Sequence, residues 1–160
     1  MVNKYGWVDT GSSFLPAEIN SAFLLAQLEN LEIIQKRRCE IWSFYYEALK
    51  PLADIGCFKM PDMPDYATNN AHMFYMVCNS LNERSKLINY LKENGVLAVF
   101  HYLSLHESEY YRDKYKEIPS LPHCDHFADC LVRLPMFYEL QNEEISTVIA
   151  NIKEFYKIIK

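Results

Sequence analysis

Between Pro16 and Pro51 the sequence contains no residue that stops a helix. Pro16 suits a first helical turn, and Glu18 complements the positive end of the helix dipole. Apolar side chains recur at helical spacing through Ile19, Phe23, Ala26, Leu31, Ile34, Ile41, Tyr45 and Leu49. Read as one continuous helix, this stretch would run about 50 Å at about 1.5 Å per residue. That is far longer than the helices of ordinary globular domains. A rod of this kind spans two domains or two subunits, so the chain is expected to attach a smaller body to one long helix.

The remainder supplies that body. A loop containing Gly56, Pro61 and Pro64 follows the rod. The run from His72 to Cys78 is nearly all apolar and predicts a buried strand. A helix is expected over Asn82–Asn94, with Leu87, Ile88 and Leu91 on one face and Gly95 as its stop. Val96–Tyr102 predicts a second strand, Glu107–Lys116 a short helix, and Pro122–Val132 another helix. Arg133–Phe137 predicts an extended piece. Glu143–Ile159 closes the chain as an amphipathic helix, with Ile145, Val148, Ile149, Ile152 and Phe155 inward. Strands interleaved with helices predict an α+β fold, a small sheet covered by helices. Residues 1–50 form the leading loop and long helix of this organisation, and residues 51–160 the small domain.

Composition narrows the function classes. The net charge is −5 and the basic residues are scattered, so the chain lacks the concentrated basic footprint that nucleic acid requires. No apolar run reaches the roughly 18 to 20 residues that cross a membrane, and the first residues form no signal peptide. Cys39, Cys57, Cys78, Cys124 and Cys130 are odd in number and widely spaced, the pattern of a reducing cytoplasm. Twelve Tyr and nine Phe are a high aromatic share, and some of that surface is expected to bury against a partner instead of an internal core.

Several groups could carry chemistry. Ser12 and Ser13 precede the long helix, where two hydroxyls either donate to a phosphate or cap the helix and form a turn. His101, Tyr102 and His106 lie where a strand enters a loop. There they can hydrogen-bond sugar hydroxyls or a diphosphate; equally, His101 can be a satisfied strand-end residue and His106 an exposed loop residue. His123, His126 and Cys130 share a helix face and are zinc-ligating types. They lack the paired-loop spacing of zinc sites, and Cys124, Phe127 and Leu131 form an ordinary core stripe beside them, so no metal is assigned. With only four Gly there is no Gly-rich nucleotide loop, and nothing marks a cysteine as an activated nucleophile. The Tyr110-Tyr111-Arg112 cluster reads as a half-buried helix face.

The segment from Lys4 to Leu15, running into Gln27-Leu28-Glu29, resembles the opening of the small-domain half of sugar-nucleotide aminotransferases of the DegT/StrS type. Three further stretches agree in order and spacing: Asn70 to Tyr75, Ala98 to Tyr102 with Leu105-His106, and Arg133-Leu134-Pro135 with Phe137-Tyr138. The resemblance covers essentially the whole chain and is strongest to the transaminases that convert dTDP-4-oxo-6-deoxyglucose to dTDP-4-amino-4,6-dideoxygalactose.

The resemblance implies the small C-terminal domain of a fold-type-I, pyridoxal-phosphate-dependent enzyme of lipopolysaccharide and cell-envelope polysaccharide biosynthesis. It implies a homodimer formed through the interface loop and long helix, with glutamate as amino donor and a nucleotide sugar as substrate. Ser12 and Ser13 are then the cofactor-phosphate contacts, and Tyr5, Trp7, His101, Tyr102 and His106 the substrate-side residues. Two positions depart from the wider family: Leu15 stands where many relatives have a phosphate-side Asn, and Ser104 where they usually have Pro. The Schiff-base lysine that transamination requires lies upstream in this family, in a large domain, and no lysine of this chain has its setting. By this reading the chain is inactive alone and works with an N-terminal large domain in cis or in trans. The competing reading is a non-catalytic module that dimerises or binds nucleotide sugar.

Overall fold

The computed structural model describes Asp9, Gly11 and residues 15–158. The Pro16–Pro51 stretch forms two helices, α1 (Glu18–Leu28) and α2 (Leu31–Asp54), rather than one rod. The interruption lies at Asn30. Its side-chain Nδ2 donates to the Ala26 carbonyl at 2.9 Å, the acceptor its own amide would use in a continuous helix. That amide turns instead to the Gln27 carbonyl at 3.1 Å. A side chain competing with the backbone for the same acceptor is the usual way that Asn breaks a helix. At the far end α2 runs through Pro51 to Asp54.

Strand β1 (Tyr75–Val77), helix α3 (Leu81–Glu93) and strand β2 (Val99–Phe100) come next. A 3-10 turn (Leu105–Glu107), α4 (Glu109–Lys114), α5 (Pro122–Cys130), β3 (Leu131–Arg133) and α6 (Asn142–Ile158) complete the order. The sheet is antiparallel in the order β1-β3-β2, so the last strand in sequence lies in the middle. This is the α+β arrangement expected, with strands shorter than the apolar runs that announced them.

Two helix ends show why the sequence turns where it does. Gly56 and Gly95 adopt φ of +78° and +76°, a conformation that a Cβ disfavours. After α2, the Gly56 amide bonds the Ala53 carbonyl at 2.8 Å and the Cys57 amide bonds Leu52 at 3.0 Å. After α3, Gly95 bonds Lys92 at 3.1 Å and Val96 bonds Leu91 at 2.8 Å. Both are Schellman ends, each followed by a buried residue, Cys57 or Val96. The amino end of α3 is closed by Ser80, whose Oγ accepts from the Glu83 amide at 3.2 Å. Glu83 is held in turn by the Tyr156 hydroxyl, which donates to its Oε1 at 2.7 Å and so ties α3 to α6.

The core lies between α2, α3, α6 and one face of the sheet. Ile41, Tyr45 and Leu49 come from α2, Leu87 and Leu91 from α3, and Ile145 and Ile152 from α6, all fully buried. Alternation along the strands directs Phe74, Met76 and Cys78 of the first strand region and Val132 of β3 into this core. Tyr45 donates to the Pro135 carbonyl at 3.0 Å, and burial pushes its phenol well above the usual range. Burial likewise pushes the Cys78 thiol up to about 12, so this cysteine is a core residue and not a nucleophile.

Ile152 fills the space where α6 meets this core. Ile152→Ala is expected to cost about 2–5 kcal/mol of unfolding free energy, lost burial plus a cavity, measured by urea denaturation followed by circular dichroism.

Candidate functional site

The loop that leaves β2 carries the candidate residues, and two elements fix its shape. Register places Val99 opposite Arg133 and Phe100 opposite Val132. Alternation then sends His101 to the same side of the sheet as Arg133, away from the core. On this face Tyr75, Val99, His101 and Arg133 are all half-buried. Arg133 sits between Tyr75 on β1 and Val99 on β2.

Beyond His101 the chain folds onto the first turn of α5. Ser104 Oγ donates to Asp125 Oδ1 at 2.8 Å, and His106 Nε2 lies 3.2 Å from the same oxygen. Ser104 is 7% exposed and His106 is 5% exposed. Ser108 continues the tie: its hydroxyl donates to the Leu105 carbonyl at 2.6 Å and accepts from the Tyr111 amide at the start of α4. His106 is therefore a buried residue of the loop's own scaffold, neither of the two surface roles expected from sequence. The missed residue is Asp125. An acid in the first turn of a helix reads as a dipole partner, and nothing local signals that it also anchors a loop some twenty residues away.

Between this loop and α5 is a cleft of about 200 Å³ lined by His101, Tyr102, Ser104, Cys124, Phe127 and Leu131. The rings of His101 and Tyr102 meet edge to face at 5.0 Å, and Tyr102 is largely exposed. His101 Nδ1 is buried without a hydrogen-bond partner, as is Arg133 Nε. The imidazole is held below its ordinary value, first by burial and then by the neighbouring charges of Arg133 and His72.

His72 belongs to the turn Asn69–His72, which α2 holds in place. Arg38 Nε donates to the Ala71 carbonyl at 3.1 Å, a further Arg38 nitrogen donates to the His72 carbonyl, and Gln35 donates to the Asn70 carbonyl. Asn69 Oδ1 accepts from the Ala71 amide at 2.8 Å. These bonds keep Ala71 at φ 48°, an unusual value for a residue other than Gly. The Asn70 to Tyr75 motif is thus a rigid turn that delivers His72 and Tyr75 to the face of Arg133.

The other expected residues separate into two groups. Tyr5, Trp7, Ser12 and Ser13 lie outside the described residues. Of the helix-face trio, His126 Nδ1 and Cys130 Sγ approach to 3.6 Å. The potential ligand atoms that do converge are those of His106, Cys124 and Asp125, all within 4.8 Å of one another. Hydrogen bonding accounts for this group, because Asp125 serves Ser104 and His106 while Cys124 Sγ lies 3.6 Å from Ser104 Oγ. No lysine lines this cleft or the three others described, at Arg37, at Leu97 and at Ile33.

Two outcomes follow from this geometry. Asp125→Ala removes the acceptor shared by the buried Ser104 and His106 and is expected to cost about 1–3 kcal/mol, read as a lowered urea midpoint. The ring protons of His101, followed by NMR, should titrate below the ordinary histidine range, and Arg133→Gln should move that midpoint upward by removing a repelling cation. The sign for stability follows. The unfolded chain takes up this proton more readily, so stability falls as the pH drops from the ordinary histidine value to the lowered native one. Below that it is level.

With this geometry in view, known proteins can be compared. The family model of the DegT/DnrJ/EryC1/StrS aminotransferases matches residues 3–153. S. venezuelae DesV, solved in complex with a ketimine intermediate, is 23% identical, with a TM-score of 0.79 over 96% of this chain and 40% of its own. Helicobacter pylori PseC, an aminotransferase involved in the biosynthesis of pseudoaminic acid, is 21% identical, with a TM-score of 0.77 over 94% of this chain and 40% of its own. A DegT DnrJ EryC1 StrS aminotransferase from Brucella abortus is 24% identical, with a TM-score of 0.73 over 95% and 41%. The chain thus spans about two fifths of the length of these structures, and at such identities the likeness establishes the fold: part of a fold-type-I aminotransferase. Since the family pattern runs through nearly every element described above, from residue 3 to residue 153, this chain belongs to the DegT/DnrJ/EryC1/StrS aminotransferase family.

Proposed function

We propose that this chain is the small-domain part of a pyridoxal-phosphate-dependent sugar-nucleotide aminotransferase that transfers an amino group from glutamate to a nucleotide-linked 4-keto-6-deoxyhexose such as dTDP-4-oxo-6-deoxyglucose. The observation that carries the reading is the loop from His101 to His106 within a chain whose family pattern is otherwise continuous. That loop is braced from below by Asp125, and it presents an imidazole and a phenol beside a cleft. Such a pair can hydrogen-bond sugar hydroxyls or phosphoryl oxygens. Its neighbour Arg133 adds a fixed positive charge. The cofactor lysine is supplied by a large domain, in cis or in trans, and Ser12 and Ser13 contact the cofactor phosphate across a dimer interface.

Helix α1 supports a missing partner surface. Ile19 and Phe23 are 79% and 71% exposed, Leu24, Leu25 and Leu28 are exposed as well, and no residue of α1 is buried. A helix this apolar is stable in water only against another surface. The large domain and the second subunit are the surfaces this reading provides. The break at Asn30 lets α1 follow them while α2 stays in the small-domain core.

The reading is tested by co-expressing the chain with a family large domain that carries the lysine. Purified alone, the chain should self-associate through α1 in sedimentation and show no transamination. Reconstituted, it should aminate dTDP-4-oxo-6-deoxyglucose with glutamate, and His101→Ala should lower kcat/KM at least tenfold, about 1.4 kcal/mol of transition-state binding. A reconstituted enzyme indifferent to His101→Ala, or a clean soluble monomer with α1 exposed, would count against it.

A further inference from the structure

Where the loop leaving β2 meets α5, three side chains of metal-ligating type converge. His106, Cys124 and Asp125 bring one donor atom each to within 4.8 Å of the other two, and among the described residues no other three His, Cys, Asp or Glu side chains do so. His106 is 5% exposed, and its Nε2 is aimed at Asp125 Oδ1 from 3.2 Å. Cys124 and Asp125 stand in the first turn of α5, where Cys124 is exposed and Asp125 half-exposed, so an ion can reach the group from solvent. Hydrogen bonds already hold these atoms together, and a divalent ion takes up lone pairs that protons otherwise bridge. In a tetrahedral zinc site, bonds of about 2.0–2.3 Å put the ligand atoms about 3.3–3.6 Å apart. The imidazole and carboxylate are near that spacing now, and rotation of the exposed Cys124 side chain closes the remainder. Ser104, whose Oγ donates to Asp125 Oδ1 at 2.8 Å, orients the carboxylate from outside the ligand set.

We propose that His106, Cys124 and Asp125 form a zinc site that clamps this loop to the first turn of α5, with water in the fourth position. A thiolate and a carboxylate cancel the charge of a divalent ion, and with an imidazole they make a set that suits zinc and not calcium or magnesium. On binding, the Cys124 thiol releases its proton to solvent as the Zn–S bond forms. The imidazole coordinates through Nε2 and carries its proton on Nδ1. No electron is transferred. Glu107 stays outside the set: its Oε1 is 3.9 Å from His106 Nε2, and its carboxylate is paired with Arg112. The ion reinforces the tie that Asp125 makes and stiffens the cleft wall that Ser104 and Cys124 share. The site is independent of the transamination reading.

The test needs no catalysis. The chain, kept reduced with a phosphine and stripped of metal by a chelator, is titrated with cobalt(II) as a spectroscopic stand-in for zinc. A thiolate-to-cobalt charge-transfer band should grow to saturation at about one equivalent and vanish when zinc displaces the cobalt. Zinc should also raise the Tm of the chain. Loss of a group that merely orients a ligand costs about 10–100-fold in metal affinity, and loss of a ligand at least as much. Cys124→Ser, at an exposed position, should therefore abolish the band and the gain in Tm. Asp125→Asn, which keeps an acceptor for Ser104, should weaken zinc binding at least tenfold. Cys130→Ala, which removes the thiol beside His126, should leave the band intact. Circular dichroism checks that each variant is folded. No band in the folded chain, or a band that survives in folded Cys124→Ser, would overturn the proposal. A band lost in Cys130→Ala but kept in Cys124→Ser would overturn it as well, placing the ion on the helix face of His126 and Cys130.

Discussion

Strand β3 is three residues long, yet it is hydrogen-bonded on both edges, and among the described residues neither β1 nor β2 has another strand to pair with beyond a single bridge at Lys59. A sheet this small is not stable alone; it exists because one face is pressed into a helical core. Val132 supplies that attachment, fully buried among α2, α3 and α6. The residues on either side, Leu131 and Arg133, are turned by the pleat to the opposite face. Placing Val132 in the core therefore also places Arg133 beside His101. Slipping the register by one residue would bury the guanidinium and expose the valine, so core and site share one constraint.

The same logic explains which parts of the fold could be read from sequence. Elements whose limits depend on local chemistry were legible: the start of α3, the Gly95 stop and the inward stripe of α6 all appear within a residue or so of their expected places. The break between α1 and α2 was not. Asn30 is compatible with a helix interior, and no local pattern reports that its side chain takes the Ala26 carbonyl while its backbone amide turns to Gln27. Strand order was equally hidden, because β3 pairs with segments more than thirty residues away. No local pattern reports that pairing.

The candidate site divides along the same line. His101 and Tyr102 stand near a cleft, as a strand end entering a loop suggests. His106 has the same residue type and a similar position in the loop, but its environment is settled by Asp125, which the sequence places beyond an intervening helix, α4. Sequence can nominate a histidine, but only tertiary packing determines whether its nitrogens face a ligand or an internal carboxylate. The difference is chemically large. A buried imidazole held against a carboxylate stiffens a loop, whereas one with a free nitrogen beside a guanidinium is available to an incoming anion.

These features give the molecule two unlike surfaces. One is the apolar side of α1, whose exposed Ile19, Phe23 and Leu28 gain by losing water. The other is the outer face of the sheet, where His101 and Arg133 gain by meeting a charge. Asn30 separates α1 from α2, and α2 grips the Asn69–His72 turn through Arg38 and Gln35. The rigid face, in turn, keeps two nitrogens desolvated before any ligand arrives. That ordering costs stability in the free chain, and an anion bound there would return it as affinity, since no further side chain has to be fixed.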